Sequence, residues 1–85
     1  MPRVVFTSNL QRHVSCPECE VVATTVSGAL EEVFKQQKQL RGYLLDEQGE
    51  LRKHVFIFVD GQRARLSNPV GESSEIYVLQ ALTGG

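Results

Sequence analysis

The sequence of 85 residues has little of what several protein classes require. Tryptophan is absent, and two cysteines are too few for the disulfide framework of a small secreted domain. The charges nearly cancel, with nine Lys+Arg against ten Asp+Glu, so there is no basic excess for a phosphate backbone. We therefore expect no nucleic-acid partner.

Long apolar runs are also missing. The longest uninterrupted run extends from Val55 to Val59, which is far too short to cross a bilayer. The first residues have no long apolar stretch before a small-residue cleavage site, so they do not resemble a signal peptide. These features predict a cytoplasmic protein with no membrane partner.

Enzyme signatures are equally hard to find. No Ser/His/Asp set, carboxylate pair or phosphate-binding glycine loop is evident. A chain of this length buries only about 60% of its unfolded surface, which leaves little room for a deep active site. The role of a substrate or partner of enzymes is therefore favoured over catalysis.

Five segments have the composition of strands, and the hydrophobic fraction of 41% is enough for one small core. They are residues 3–7, 20–24, 54–59, 62–66 and 75–80. Residues 54–59 are almost wholly apolar, which predicts a strand that is buried on both faces or lies in the middle of a sheet. Asp60-Gly61 is the strongest hairpin signal in the chain.

Residues 26–34 carry the clearest helical pattern. One apolar stripe at helical spacing is formed by Val26, Ala29, Leu30, Val33 and Phe34. Thr25 is a natural N-cap, because its hydroxyl can accept one of the first free backbone N–H groups. The pattern predicts a helix from about residue 26 to about residue 39, with Gly42 near its exit and residues 40–53 as an irregular connection.

The order β-β-α-β-β-β predicts a two-layer α+β domain over residues 1–80. We expect a mixed sheet of four to five strands, with one main helix packed across it and the first and last strands as central neighbours. This is also the order of the ubiquitin-like β-grasp fold. Residues 81–85 are expected to form a flexible C-terminal tail.

The tail ends on Gly84-Gly85. Without Cβ atoms, such a tail can be thin and extended, and can thread a narrow channel to present its carboxylate to another protein. A carboxylate can attack the α-phosphate of ATP, and the resulting acyl-adenylate accepts a sulfur or nitrogen nucleophile. The alternative is a frayed end or a cloning remnant, since termini are often poorly ordered.

Over essentially its whole length the sequence resembles MoaD/ThiS-type sulfur carriers. The matching segments are Val4-Val5-Phe6, the helix opening Thr25-Val26 with Ala29-Leu30, the residues LLDEQGEL at 44–51, HVFIFVDG at 54–61, and Leu82-Thr83-Gly84-Gly85. The long connection LLDEQGELRKHV resembles carriers of cysteine or methionine biosynthesis more than the shortest molybdopterin-synthase subunits. The motifs do not identify which pathway receives the sulfur.

The resemblance implies a carrier cycle with no cofactor bound to this chain. A ubiquitin-activating-type adenylyltransferase, which holds the ATP, Mg²⁺ and zinc, would adenylate the Gly85 carboxylate. Sulfide or a persulfide sulfurtransferase would convert it to a thiocarboxylate, and a biosynthetic enzyme would accept the sulfur. Gly84 gives the tail its reach. The alternative is a ubiquitin-like modifier joined to target lysines through the same Gly85.

The last strand provides a docking hypothesis. Alternation places Ile76 and Val78 on one face and Tyr77 and Leu79 on the other. The resemblance implies that an exposed apolar residue at Leu79 contacts the activating enzyme. Tyr77 and two tail residues complete the predicted interface; these are Leu82 and Thr83. Ordinary surface residues are the competing interpretation.

Two arginines of the predicted hairpin, Arg63 and Arg65, could add polar contacts at the rim of that interface. A solvated hairpin face is the alternative.

A cysteine pair lies in the predicted polar loop of residues 8–19. Cys16-Pro17-Glu18-Cys19 is half of a zinc site, and His13 and His54 are the candidate further ligands. A second C-x-x-C or an H-x₃₋₅-H is absent, so no firm metal site is predicted. The other hypotheses are a redox-responsive binding module, a persulfide on either thiol, and two reduced thiols packed in a loop.

Overall fold

The computed structural model describes residues 1–7 and 18–80. This part of the chain forms five strands and two helices. In chain order they are β1 (Arg3–Phe6), β2 (Glu18–Glu20), α1 (Val26–Gln36), α2 (Gln39–Leu44), β3 (Val55–Val59), β4 (Gln62–Ala64) and β5 (Glu75–Gln80). The predicted α+β class is confirmed.

The five strands form one mixed sheet in the order β2-β1-β5-β3-β4. β1 and β5 are parallel, with Val4 opposite Ile76 and Phe6 opposite Val78. The β1–β2, β3–β4 and β3–β5 pairs are antiparallel. The first and last strands are therefore central neighbours, as predicted.

Helix α1 packs its apolar stripe against one face of this sheet. All five predicted stripe residues are buried, and the core they share with the sheet includes Val4, Phe6, Ile57, Ile76 and Val78, each no more than 1% exposed. The predicted cap is also confirmed, because Thr25 Oγ1 accepts a hydrogen bond of 3.0 Å from the Gly28 N–H.

The helix ends three residues before its predicted end at about residue 39. α1 ends at Gln36, and Gln37 leaves the helical region with φ −134° and ψ 76°. A second helix, α2, then occupies part of the segment predicted as irregular, and it contains Gly42. Leu40 and Leu44, four residues apart on one face of α2, are both fully buried in the core.

The second strand is displaced from its predicted position at residues 20–24. β2 spans Glu18–Glu20 and places Cys19 opposite Val4, so Cys19 lies in a strand instead of the predicted loop. At the end of the predicted segment, the Thr24 carbonyl accepts a 2.9 Å hydrogen bond from the Val70 N–H and Thr25 forms a bridge with Pro69, so these residues pair with residues 69–70 and not with β1. Residues 8–17 of the predicted loop lie outside the described residues.

The hairpin between β3 and β4 is confirmed. Asp60 and Gly61 both have left-handed backbones, with φ 51° and 85°, and Val59 pairs with Gln62 on either side of them. These angles are typical of the type I′ turn that suits strand twist. β4 ends at Ala64, before the predicted residue 66. Arg65 begins another turn, in which the Asn68 N–H donates a 3.0 Å hydrogen bond to the Arg65 carbonyl.

Candidate functional site

Strand β5 presents two different faces. Ile76 and Val78 are fully buried on the α1 side, whereas Tyr77 and Leu79 are half-buried on the opposite side. The predicted alternation is therefore confirmed, although neither Tyr77 nor Leu79 is fully exposed. Their partial burial comes from large neighbours on the adjoining strands.

Those neighbours follow from the strand register. Leu79 lies opposite Phe56, and Tyr77 lies opposite Phe58 on one side and Val5 on the other. Residues paired across strands project from the same face of a sheet. We call the resulting group the outer-face patch; it consists of Val5, Phe56, Phe58, Tyr77 and Leu79, all half-buried.

The sequence did not identify Val5, Phe56 and Phe58 as members of this site. Of the two alternatives predicted for residues 54–59, a position inside the sheet is confirmed, because β3 lies between β5 and β4. Burial on both faces is wrong, since Val55, Ile57 and Val59 pack on the core side and the opposite face is only half-buried. In the described residues both helices contribute their buried side chains to that single core. The sequence signal that could have identified them is that Phe56 and Phe58, which alternate with the core residues Val55 and Ile57, are also apolar.

Arg63 lies at one margin of the outer-face patch. Its guanidinium carbon is 4.6 Å from the centroid of the Phe56 ring, and Arg63 pairs with Phe58 across the hairpin. This distance allows a cation–π interaction, in which the charge remains in water while the side chain covers the ring. Arg65, the other predicted rim residue, is exposed just beyond β4.

The opposite margin is polar. Arg3 forms an ion pair with Glu75 and lies 3.5 Å from a carboxylate oxygen of Glu18. The Tyr77 hydroxyl donates a 3.1 Å hydrogen bond to Glu75 Oε1. Tyr77 therefore links the apolar patch to this charged margin.

The ionisation of these groups is coupled. The hydrogen bond from Arg3, then that from Tyr77 and the positive charge of Arg3, lower the pKa of Glu75. The pKa of Tyr77 is raised, first by its hydrogen bond to Glu75 and then by the Glu75 charge. The hydrogen bond and charge of Glu75 likewise raise the pKa of Arg3. Glu75 is thus held ionised and Tyr77 neutral.

The exit of the C-terminal segment adjoins this patch. β5 ends at Gln80, which pairs with Val55 at the beginning of β3. The tail residues named from the sequence follow, and they lie outside the described residues: Leu82, Thr83, Gly84 and Gly85. Their roles, and the division into a domain of residues 1–80 and a tail of residues 81–85, stay predictions.

The cysteine pair is divided between described and undescribed residues. Cys19 is half-buried in β2 and packs at the margin of the core, whereas His13 and Cys16 lie outside the described residues. Within residues 1–7 and 18–80 there is no group of three or more metal-ligating side chains. The zinc and redox hypotheses therefore stay untested.

No protein-family model and no curated protein matches the sequence. Solved structures, in contrast, match nearly the whole chain. SAMP1 from Haloferax volcanii superimposes with a TM-score of 0.88 at 20% identity, over 99% of this chain and 98% of that chain. A chain of the Amycolatopsis orientalis BexX/CysO complex superimposes with a TM-score of 0.86 at 19% identity, and the match covers 100% of both chains. Urm1 from Sulfolobus solfataricus superimposes with a TM-score of 0.75 at 20% identity, over 94% of this chain and 100% of that chain.

These similarities establish the fold. The chain has the ubiquitin-like β-grasp fold shared by SAMP1, CysO and Urm1, so the resemblance to MoaD/ThiS-type proteins is confirmed at the level of the fold. In the described part of the chain, neither helix combines the length and apolar character needed to span a bilayer.

Proposed function

We propose that this protein is a cytoplasmic sulfur carrier, which acts as a co-substrate of partner enzymes and is not itself a catalyst. The single observation that carries the proposal is the end-to-end match to small β-grasp proteins that include CysO. The sequence motifs at residues 44–51, 54–61 and 82–85 support the same assignment. The sulfur acceptor is an enzyme of cofactor or amino-acid biosynthesis.

The proposed chemistry takes place on the Gly85 carboxylate. Within a ubiquitin-activating-type adenylyltransferase, a carboxylate oxygen attacks the α-phosphorus of Mg²⁺-bound ATP, and pyrophosphate leaves. Hydrosulfide then attacks the acyl carbon of the adenylate, AMP leaves, and a thiocarboxylate and one proton remain. A persulfide reacts through an acyl disulfide, which a thiol reductant cleaves to the same thiocarboxylate.

The outer-face patch is the proposed docking surface for the adenylyltransferase. It combines two aromatic rings of β3 with Tyr77 and Leu79 of β5, beside the point where residues 81–85 begin. An apolar patch with polar margins suits a partner interface. In this proposal Leu82 and Thr83 contact the enzyme channel, and Gly84 allows the narrow approach to the nucleotide.

A ubiquitin-like modifier is the second candidate. It is favoured by the description of the structural neighbour SAMP1 as a small archaeal modifier protein. Activation would be identical, but the adenylated Gly85 would pass to the amino group of a target lysine. Isopeptide-linked adducts of this chain in its own cells would support this candidate, whereas free thiocarboxylate would support the carrier.

Adenylation can be tested by incubating the protein with Mg²⁺-ATP and the candidate adenylyltransferase from its own genome, and measuring pyrophosphate release. We expect release that depends on the carrier and ceases when Gly85 is deleted. The deletion withdraws the carboxylate by about 3.5 Å, the length of one extended residue. Lys38→Ala, an exposed change between the helices, is the control that should release pyrophosphate normally.

Circular dichroism of the shortened protein would show whether its fold is intact. Equal pyrophosphate release with and without Gly85 would contradict the proposal, because the reaction would then not depend on the position of the terminal carboxylate.

A further inference from the structure

A cleft of about 710 Å³ lies along the β4 edge of the sheet. Its walls include Leu51, Ile57, Arg63, Ala64, Arg65 and Leu66. β4 is an edge strand of the sheet: β3 pairs with one side of it, and no strand of the described residues pairs with the other side. The cleft therefore combines a sheet edge with apolar and basic side chains.

The backbone of β4 has groups available for a further strand. The tight turn at Asp60-Gly61 makes Val59 and Gln62 a hydrogen-bonded pair, and such pairs alternate with non-bonded ones along an antiparallel ladder. The N–H and C=O of Arg63 consequently point away from β3. An edge of this kind is a template for an extended segment of another chain.

The side chains along this edge alternate in character. Arg63 in β4 and Arg65 just beyond it are exposed on the outer side, whereas Ala64 is 8% exposed on the inner side. Leu66 lies in the turn that follows; it is half-buried, and its carbonyl accepts a 2.8 Å hydrogen bond from the Ser27 N–H. A strand added to β4 would therefore place every second side chain beside a guanidinium. Its other side chains would lie beside Ala64, over the apolar wall of the cleft that Leu66 helps to form.

The two guanidiniums carry uncompensated charge. In the described residues Arg3 and Arg41 form ion pairs with glutamates, but neither Arg63 nor Arg65 has a carboxylate within 4.0 Å. Glu50 lines the cleft without reaching either of them. Arg63 contacts the Phe56 ring, but both guanidiniums lack a carboxylate partner in the described residues, so together they are complementary to carboxylates spaced two residues apart on an extended chain.

We propose that the β4 edge binds an extended segment of a partner protein in which acidic and apolar residues alternate. The segment adds a strand to β4, pairs its backbone with Arg63, and places its carboxylates on Arg63 and Arg65. Its apolar side chains fill the cleft over Leu51, Ile57 and Leu66. The site is independent of chemistry at Gly85, so its failure would leave the proposed sulfur transfer intact.

The probe for this site is a synthetic amide-capped hexapeptide of alternating glutamate and valine, titrated into the ¹⁵N-labelled full chain at low ionic strength. We expect saturable shifts centred on Arg63, Ala64 and Leu66, with slower hydrogen exchange at the Arg63 amide. Arg65→Glu should weaken binding about tenfold, because it replaces a charge-assisted hydrogen bond by repulsion.

Matched controls separate this site from general charge attraction. Lys38→Glu makes the same charge change at an exposed position between the helices and should leave the affinity unaltered. A lysine–valine hexapeptide should not bind. Two-dimensional spectra of each variant show whether its fold is intact.

Four outcomes of the peptide titrations would each overturn the proposal. The first two are that no shifts appear at millimolar peptide, or that the shifts centre on β2. The other two are that Lys38→Glu weakens binding as much as Arg65→Glu does, or that the lysine–valine peptide binds as tightly as the glutamate–valine peptide. Self-association of Arg65→Glu without peptide binding by the natural chain would also overturn it, since the arginines would then only protect the edge from pairing.

Discussion

Among individual residues, Tyr77 connects the apolar patch to the charged margin through Glu75. Its pKa is raised because ionisation would place a second negative charge next to a carboxylate that already accepts its hydrogen bond. The chain has two tyrosines, so Tyr43→Phe leaves Tyr77 as the single ultraviolet reporter.

We expect Tyr77 in that background to form tyrosinate only above the ordinary tyrosine range, and Glu75→Gln to shift the midpoint down. Ultraviolet titration at the tyrosinate band measures both midpoints. Identical midpoints with and without the Glu75 carboxylate would show that the hydrogen bond does not control this ionisation.

The stability of the fold at acid pH depends on Glu75 in a defined direction. Its folded-state pKa lies below its unfolded value, so the ionised carboxylate stabilises the protein above the unfolded pKa. That contribution is lost as the pH falls through the folded pKa. The raised pKa of Tyr77 acts in the opposite range, with a contribution present below its unfolded pKa and lost as the pH rises through the folded one.

We therefore predict that Glu75→Gln lowers the midpoint of urea unfolding at neutral pH. The difference from the natural protein should vanish at a pH well below the ordinary carboxyl range. Because these groups are half-exposed, the effect will be small. A difference that persists unchanged in strong acid would assign it to packing and not to charge.

At the level of elements, a glycine stabilises a left-handed turn but destabilises the interior of a helix relative to alanine. Gly61 has φ 85°, a region that side chains rarely adopt, whereas a Cβ at Gly42 in α2 would meet nothing within 4 Å. We predict that Gly61→Ala destabilises the protein by about 1 kcal/mol and that Gly42→Ala stabilises it by up to about 1 kcal/mol.

Urea unfolding of the two alanine variants, compared with the natural chain, measures both values. Each variant is the control for the other, since both add one methyl group. Equal destabilisation by the two would contradict the left-handed turn at Gly61.

The sequence predicted the elements whose local pattern and tertiary role agree. β5, the turn at Asp60-Gly61 and the buried stripe of α1 are examples, because each depends on nearby residues alone. β2 was misplaced because its register is set by pairing with β1, far along the chain. α2 was missed because its six residues are too few for a clear helical period, and burial of Leu40 and Leu44 defines it.

The candidate site was predicted in part for the same reason. Tyr77 and Leu79 follow from alternation within one strand. Phe56 and Phe58 could not be assigned to this surface from the sequence, because no local pattern shows that the helix covers a single face of the sheet. Cross-strand pairing then brings these four residues together as one surface.

For the molecule as a whole, the position of β5 links the fold to the proposed function. The strand is held between β1 and β3, so it supports both the outer-face patch and the start of residues 81–85. Docking and delivery of the terminal carboxylate would therefore depend on one rigid element. A substitution on its outer face should impair partner binding without affecting the core.

We predict that Leu79→Glu weakens binding to the adenylyltransferase about tenfold or more, because it buries a charge in an apolar interface. Isothermal titration calorimetry measures the affinity, and thermal unfolding checks the fold. Val22→Glu is the matched control, since Val22 is 75% exposed and lies outside the patch. Unchanged affinity for Leu79→Glu would remove this residue from the interface.

Intact mass spectrometry shows whether this chain carries sulfur on its terminal carboxylate. The protein is treated with ATP, Mg²⁺, sulfide and the adenylyltransferase from its own genome, and the Gly85-deleted chain is treated in parallel. We expect the full chain to gain the mass difference between one sulfur and one oxygen, and the deleted chain to show no such gain. An adenylate that forms but never gains sulfur, while lysine-linked adducts accumulate, would contradict the carrier and favour the modifier.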